Sequence, residues 1–148
     1  GWRLGYICAP KDAIAHMRKV HQYGSLAAPT ISQYAALEAL KNGQEETEKM
    51  KRAYDERRHY LIKALKDMNL ECFAPEGAFY VFPCIKKTGL TSEEFISRLF
   101  DEEKLLLISG TAFGPLGEGY VRISYAYSLE KLKEGMARLA HFVAKHHQ

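Results

Sequence analysis

The chain has 148 residues, of which 47% are hydrophobic and 26% are charged, and its formal net charge is +3. This composition is typical of a globular protein and excludes a disordered chain. Basic and acidic residues are interleaved without a basic stripe, so we expect no nucleic-acid partner. There is also no apolar run of about 18 residues, so we expect no membrane partner.

Cysteine and histidine show no metal-binding pattern. The three cysteines, Cys8, Cys72 and Cys84, lack the close pairs that zinc sites and redox motifs need. The six histidines lack the spacing of a zinc protease. We therefore expect no metal site, and we interpret the cysteines as reduced, partly buried thiols of a cytoplasmic protein.

The first elements in chain order are a strand and a helix. Residues 2–9 are apolar and β-prone, which predicts a strand that ends at Pro10. A helix is expected over residues 11–20. The strand has no obvious partner in the chain, and because a lone strand is unstable, it needs neighbours from elsewhere.

Two further helices follow. Thr30 and Gln33 have the spacing of a capping box, which predicts a helix over residues 31–41. Gly43 should end that helix. Apolar residues then recur every three or four positions from Met50 to Met68, which predicts a long amphipathic helix.

The middle of the chain predicts two strands and a helix. Residues 71–74 and 78–82 flank the turn signal PEG and form a plausible antiparallel pair. Thr91 and Glu94 have capping-box spacing, with a hydrophobic staple around them, so we expect a helix over residues 92–103.

The last elements are two strands and a closing helix. Residues 105–108 have the composition of a buried strand. In YVRISY, residues 120–125, apolar and polar positions alternate and so predict a strand with two different faces. Ser128 should cap a final amphipathic helix, and we expect the polar tail 145–148 to fray.

Two arginines, Arg3 and Arg122, lie on predicted strands. A guanidinium binds carboxylate or phosphate through two parallel hydrogen bonds, and burying it without an anion is costly. A ligand, a carboxylate of the chain or a solvated face would each satisfy them. Nearby, SGTAFGPLGEG has four glycines that would let a ligand approach the backbone, although a mobile connection is the commoner meaning. The residues alone give no complete catalytic set.

Three stretches in order, GWRLGYICAP, PEGAFYVFP and SGTAFGPLGEGYVRISYA, resemble the C-terminal third of class I pyridoxal-phosphate aminotransferases. The similarity covers essentially the whole chain and is greatest to prokaryotic aspartate and aromatic amino-acid aminotransferases. It implies an α/β chain from a fold-type I enzyme, with an α+β small domain whose sheet of three or four strands is covered by helices. Residues 1–42 would be the last strand and helices of the large cofactor-binding domain, and residues 43–148 the small domain.

The resemblance also implies the site. Pyridoxal phosphate would be the cofactor, and its Schiff-base lysine would lie a few residues before Gly1, so the chain would be an inactive C-terminal fragment without a catalytic residue. Arg3 would bind the cofactor phosphate, and Arg122 would bind the α-carboxylate of the amino-acid or 2-oxo-acid substrate. Phe79 would line the substrate pocket. The parent enzyme would be a homodimer, and Ser109 stands where the family commonly has proline.

Three functions are compatible with this resemblance. The first is an aminotransferase that moves an amino group between an amino acid and a 2-oxo acid. The second is another pyridoxal-phosphate enzyme, such as a carbon–sulfur lyase, because the same arginines would serve either reaction. The third is the effector-binding domain of an aminotransferase-like transcription regulator.

Overall fold

A computed structural model describes residues 1–146, which form two compact units. The first unit comprises residues 1–50, and the second begins at Lys51. This boundary lies inside the long helix. The assignment of residues 1–42 to a large cofactor-binding domain, and of residues 43–148 to a small domain, stays a prediction.

The helices of the first unit lie close to where the sequence predicts them. Helix α1 spans Lys11–Gly24 and is longer than expected, and helix α2 spans Thr30–Asn42. Gly43 ends α2, and helix α3 follows at Gln44–Asp67, as the long amphipathic pattern predicts.

The predicted strand over residues 2–9 is wrong, because this segment has no regular secondary structure. A strand is stable only when it pairs, and the first unit contains no other strand among the described residues. The segment is instead joined to α2 by the buried Ser32, whose hydroxyl donates a hydrogen bond of 2.9 Å to the Trp2 carbonyl.

The predicted capping box at Thr30 is also wrong. Pro29 occupies the N-cap position, so Thr30 already lies inside the first turn and its hydroxyl cannot cap the helix. Gln33 donates its side-chain amide to the Ala28 carbonyl at 2.9 Å instead.

The second unit contains a three-stranded antiparallel sheet in the order β1-β3-β2. Strand β1 is Tyr80–Val81, β2 is Ile108–Ser109 and β3 is Val121–Ser124. The sheet is as small as the family resemblance implies, and helices cover one of its faces.

Three strand predictions need correction. Residues 71–74 form no strand, since Glu71 makes only a single backbone bond, from the Cys84 amide at 2.7 Å. The segment 78–82 is a strand only at β1, which pairs with β3 because this register brings Val81 against the buried Ile123. The strand expected at 105–108 is shorter and lies further along the chain, at β2.

The capping of the last two helices is confirmed. Helix α4 spans Ser92–Glu103, and both reciprocal bonds of the Thr91–Glu94 capping box are present. Helix α5 spans Leu129–His146, and the Lys131 amide donates to the Ser128 hydroxyl at 3.3 Å. Of the tail that we expect to fray, residues 145–146 belong to α5 and residues 147–148 lie outside the described residues.

The core of the second unit lies between the sheet and helices α3, α4 and α5. Buried apolar side chains come from every one of these elements: Leu61, Leu65, Val81, Phe95, Leu99, Val121, Ile123, Leu139 and Phe142. Each contributes about 1.5–3 kcal/mol by leaving water. The predicted alternation of β3 is confirmed, because Val121, Ile123 and Tyr125 are buried while Arg122 and Ser124 are only half-buried.

Candidate functional site

Arg122 lies on the central strand of the sheet, on the face opposite the buried Val121 and Ile123. Its strand, β3, has a neighbour on each side, and Arg122 is paired with Ile108 of β2. Within residues 1–146 the guanidinium makes no ion pair with a carboxylate, and its buried Nε has no hydrogen-bond partner. The sequence left a protein carboxylate open as the counter-ion, and none occupies that position.

Two aromatic rings lie against the Arg122 guanidinium. The Cζ atom of Arg122 is 4.4 Å from the ring centre of Tyr80 and 4.8 Å from that of Phe113. Both distances are within the range of a cation–π interaction. The positive charge is therefore held by ring faces and not by an anion.

These two rings belong to a larger aromatic surface, which we define as Phe79, Tyr80, Phe82, Phe113 and Tyr120. Phe79 and Tyr80 are 4.5 Å apart between ring centres, Phe82 and Phe113 are 6.0 Å apart, and Phe82 stacks on Tyr120 at 5.5 Å. Arg122 lies between its two ends. A flat or aromatic ligand group would find stacking partners here.

Phe79 stands at the end of the turn before β1 and is 38% exposed. Its carbonyl accepts a hydrogen bond from the Tyr125 amide at 2.9 Å, and the Tyr125 hydroxyl donates to the Ala78 carbonyl at 3.0 Å. Burial raises the pKa of the Tyr125 hydroxyl, so it stays protonated and keeps donating. Tyr125 thus holds the turn that presents Phe79.

The glycine-rich segment after β2 is fixed at both ends. It forms two short 3₁₀ turns, Gly110–Phe113 and Pro115–Gly117. The Gly110 amide donates to the Tyr120 carbonyl at 2.9 Å. The buried Ser92 hydroxyl, at the start of α4, accepts from the amides of Gly119 and Tyr120 at 2.8 and 3.2 Å. The segment carries Phe113, so these bonds also position that ring.

Ser109 and Thr111 add a second attachment to α4. Thr111 donates its hydroxyl to the Glu93 carboxylate at 2.6 Å, and the hydroxyls of Ser109 and Thr111 are 2.7 Å apart. Hydrogen bonds from Thr111 and Ser109 lower the pKa of Glu93. Ser109 also caps the first 3₁₀ turn by accepting from the Thr111 amide. Serine here supplies hydrogen bonds that proline could not.

Arg3 belongs to the first unit. It is exposed, and its φ of 52° lies in the left-handed region, which does not match the strand that we predict. Among the described residues its guanidinium has no ion pair. An exposed, unpaired guanidinium is able to bind a dianionic phosphate group, and the role that the resemblance implies for Arg3 stays a prediction.

Other kinds of site would need a cluster of metal ligands, a membrane-spanning helix or paired cysteines. Between residues 1 and 146, no three His, Cys, Asp or Glu side chains are grouped so that they could hold a metal ion. None of the helices there is long and apolar enough to cross a membrane. All three cysteines are free thiols, and Cys8 is exposed while Cys72 and Cys84 are half-buried.

The sequence did not single out Tyr80, Phe113 or Ser92. The alternation around β1 could have placed Tyr80 on the face of Arg122, since antiparallel pairing fixes which side chains are neighbours. Phe113 lies in an irregular segment, where no periodicity shows the direction of a side chain. Ser92 reads as the first residue of a helix, and nothing local indicates that it binds a distant loop.

Comparison with known proteins gives consistent matches. Residues 1–139 match the family described as aminotransferase class I and II. The aspartate aminotransferase of Pyrococcus abyssi is 47% identical over 94% of this chain and 36% of its own length. A crystal structure of an aromatic aminotransferase from Pyrococcus horikoshii is 44% identical with a TM-score of 0.88, over 98% of this chain and 39% of that one.

A third match is the structure of a Thermus thermophilus aspartate aminotransferase with maleate. It is 34% identical, with a TM-score of 0.85, over 96% of this chain and 37% of that one. The chain therefore spans less than two fifths of the length of these relatives. Members of the family use pyridoxal phosphate. With the family match extending from residue 1 to residue 139, the chain belongs to the class I and II aminotransferases.

Proposed function

We propose that the protein containing this chain is an amino-acid aminotransferase that exchanges an amino group between an amino acid and a 2-oxo acid. The observation that carries the proposal is the half-buried Arg122 guanidinium, which has no carboxylate partner among the described residues and whose buried Nε has no hydrogen-bond partner. An α-carboxylate is the group that all amino acids and 2-oxo acids share. A guanidinium binds it through two parallel hydrogen bonds.

In this proposal Arg122 orients every substrate in the same way. Because it lies on the central strand, its backbone is held from both sides, and the bound carboxylate would be fixed in position. Phe79, with its partly exposed ring, would line the pocket beside it. The named relatives act on aspartate or on aromatic amino acids, and one is described with the dicarboxylate maleate.

Arg3 would hold the cofactor. When bound, pyridoxal phosphate supplies an electron sink for the substrate carbon from which the proton leaves. Arg3 would bind the phosphate group, and the bond from Ser32 to the Trp2 carbonyl would keep the neighbouring backbone against α2. Neither arginine moves a proton, so both act by binding and orientation.

Two further features belong to this proposal. We infer a homodimer, as the resemblance implies, and sedimentation of the purified protein would test it. We also infer a cytoplasmic location, which the three free cysteines support, because thiols persist in reducing compartments.

The test is an assay with aspartate or phenylalanine as the amino donor and 2-oxoglutarate as the acceptor, on the full-length protein with pyridoxal phosphate. We expect glutamate to form, and Arg122→Lys to lower kcat/KM by roughly 10- to 150-fold, the value of a lost charged hydrogen bond. Arg52→Lys, at an exposed position of α3, is the matched control and should leave kcat/KM unchanged.

Other outcomes would point to the alternative functions. Release of ammonia and pyruvate from a cysteine conjugate would identify a carbon–sulfur lyase. Cofactor binding without any turnover, together with an upstream DNA-binding region, would identify a transcription regulator. Either result would contradict the proposed function.

A further inference from the structure

The Arg122 guanidinium is held between rings that come from two different elements. Tyr80 belongs to β1, and Phe113 ends the first 3₁₀ turn of the glycine-rich segment. Both rings lie within 5 Å of the Arg122 Cζ atom. Their distances from Arg122 are shorter than those in the other cation–ring contacts of the described chain, which range from 5.3 to 5.7 Å.

We propose that Tyr80 and Phe113 are positioning residues, which hold the Arg122 guanidinium in the place and orientation that a substrate carboxylate requires. The inference rests on the proposed function of Arg122 and extends it to two residues that need not touch the substrate. The rings take the place of the carboxylate partner that a half-buried arginine ordinarily has.

The Nε atom of Arg122 is a buried donor. This donor has no hydrogen-bond partner among the described residues, and an unsatisfied buried donor is unfavourable. The ring faces carry partial negative charge and compensate the cation without neutralising it. The full positive charge therefore stays available for an incoming carboxylate.

The two rings also restrict the conformational freedom of the Arg122 side chain. Arginine has a long side chain with many rotamers, and it loses that freedom when it binds a ligand. Confinement between two rings restricts the side chain before the ligand arrives. Binding then costs less entropy, so the rings should strengthen carboxylate affinity without contacting the carboxylate.

The rings themselves are fixed by the fold. Tyr80 is paired with Ser124 across the β1–β3 ladder, two residues from Arg122 on the same strand. Phe113 lies two residues after Thr111, whose hydroxyl donates a hydrogen bond to Glu93 at the start of α4. Neither attachment depends on a ligand, so the arrangement exists before substrate binds.

The experiment measures the Kd of maleate, a dicarboxylate that has no amino group to transfer, on the full-length holoenzyme. We expect Tyr80→Leu and Phe113→Leu to weaken maleate binding by about 2- to 30-fold, the range of a lost cation–π contact. KM for the amino-acid substrate should rise in step, with a smaller change in kcat. Both side chains are more than one-third exposed, so the leucine variants should fold.

Conservative and matched variants complete the test. Tyr80→Phe and Phe113→Tyr keep a ring and should restore wild-type affinity. Phe100→Leu removes a ring that lies 5.7 Å from the Lys104 ammonium, elsewhere on the unit, and should have no effect on maleate binding.

Failure of this inference can be distinguished from failure of the proposed function. If Arg122→Lys weakens maleate binding but the two leucine variants bind like wild type, the positioning role is overturned and the proposed function stands. If Tyr80→Phe loses as much affinity as Tyr80→Leu, the hydroxyl and not the ring is responsible, and the inference is again wrong. If Arg122→Lys leaves both maleate binding and kcat/KM unchanged, both are contradicted.

Discussion

The backbones of Gly110 and Gly117 are in direct contact. A β-carbon on either residue would therefore overlap the carbonyl oxygen of the other. Only glycine fits at these two positions. We expect Gly110→Ala to lower the free energy of unfolding by at least about 1–3 kcal/mol, since the backbone must move to admit the methyl group. Urea denaturation followed by circular dichroism would measure this change.

The matched control for that substitution is Gly77→Ala. A β-carbon on Gly77 meets no atom within 4 Å, so the change should leave stability close to wild type. Equal stability of the two alanine variants would show that the close approach at Gly110 is absent in solution.

Ser92→Ala removes the acceptor of two backbone amides. The buried Ser92 hydroxyl accepts from the amides of Gly119 and Tyr120. Without it the Gly119 amide would lose its partner, while the Tyr120 amide would keep its bond to the Gly117 carbonyl at 3.2 Å. We expect a loss of about 1–3 kcal/mol in the free energy of unfolding, the cost of a buried polar group left unsatisfied. Ser97→Ala, on the exposed face of α4, should cost nothing because alanine favours a helix. Matching losses in both variants would contradict this role of Ser92.

The capping box of α4 predicts a pH dependence. Hydrogen bonds from the Thr91 backbone amide and, second, from its hydroxyl lower the pKa of Glu94 below its ordinary value of 4.5. Because the pKa is lower in the folded state, ionised Glu94 stabilises the fold above pH 4.5 and this contribution is lost as the pH falls through the folded-state pKa. NMR titration of the Glu94 carboxyl would measure the pKa directly.

Thr91→Ala separates the two bonds that act on Glu94. The substitution removes the hydroxyl but keeps the backbone amide, so we expect the pKa of Glu94 to rise only part of the way to 4.5. A complete return would show that the backbone bond contributes nothing. An unchanged pKa of Glu94 would show that the Thr91 hydroxyl contributes nothing.

Cys72 should react slowly with thiol reagents. Burial raises the pKa of its thiol above 9.0 and keeps the reactive thiolate scarce at neutral pH. The measurement uses a variant with Cys8→Ser and Cys84→Ser, so that only Cys72 of these three cysteines reacts with iodoacetamide. The pH at which its alkylation accelerates should be higher in the folded variant than in the same variant unfolded in urea. If the two rate profiles against pH coincide, burial does not raise the pKa.

The sequence predicted the parts of the fold that depend on local patterns. The bounds of α4 follow from the capping box at Thr91, because two reciprocal hydrogen bonds mark where a helix begins. The two faces of β3 follow from alternation between Val121 and Tyr125. These signals are contained within a few residues and do not require knowledge of distant neighbours.

Predictions that depended on partners were less accurate. Residues 2–9 are β-prone, but a strand needs a second strand, and their own unit supplies none within the described residues. Tyr80–Val81 pairs with β3 and not with residues 71–74. This choice also depends on which apolar side chains are buried in the core. Propensity within a segment cannot decide such a choice.

For the candidate site, the sequence indicated Arg122 but not its surroundings. An arginine on an alternating strand can be recognised from its neighbours in the chain. The ring of Phe113 reaches Arg122 only because a loop is bound to the start of α4, through contacts between residues far apart in the sequence. The resemblance to aminotransferases supplied the role proposed for Arg122, which the residues alone left open.

The register of β3 lets its apolar residues determine which way the Arg122 side chain points. Side chains on a strand alternate between two faces, so a slip of one residue would turn Arg122 into the core and Ile123 outward. Val121 and Ile123 prevent that slip, because their burial would be lost. The direction of the arginine is thus decided by its hydrophobic neighbours. Repacking these positions would alter ligand affinity without changing any residue that the ligand contacts.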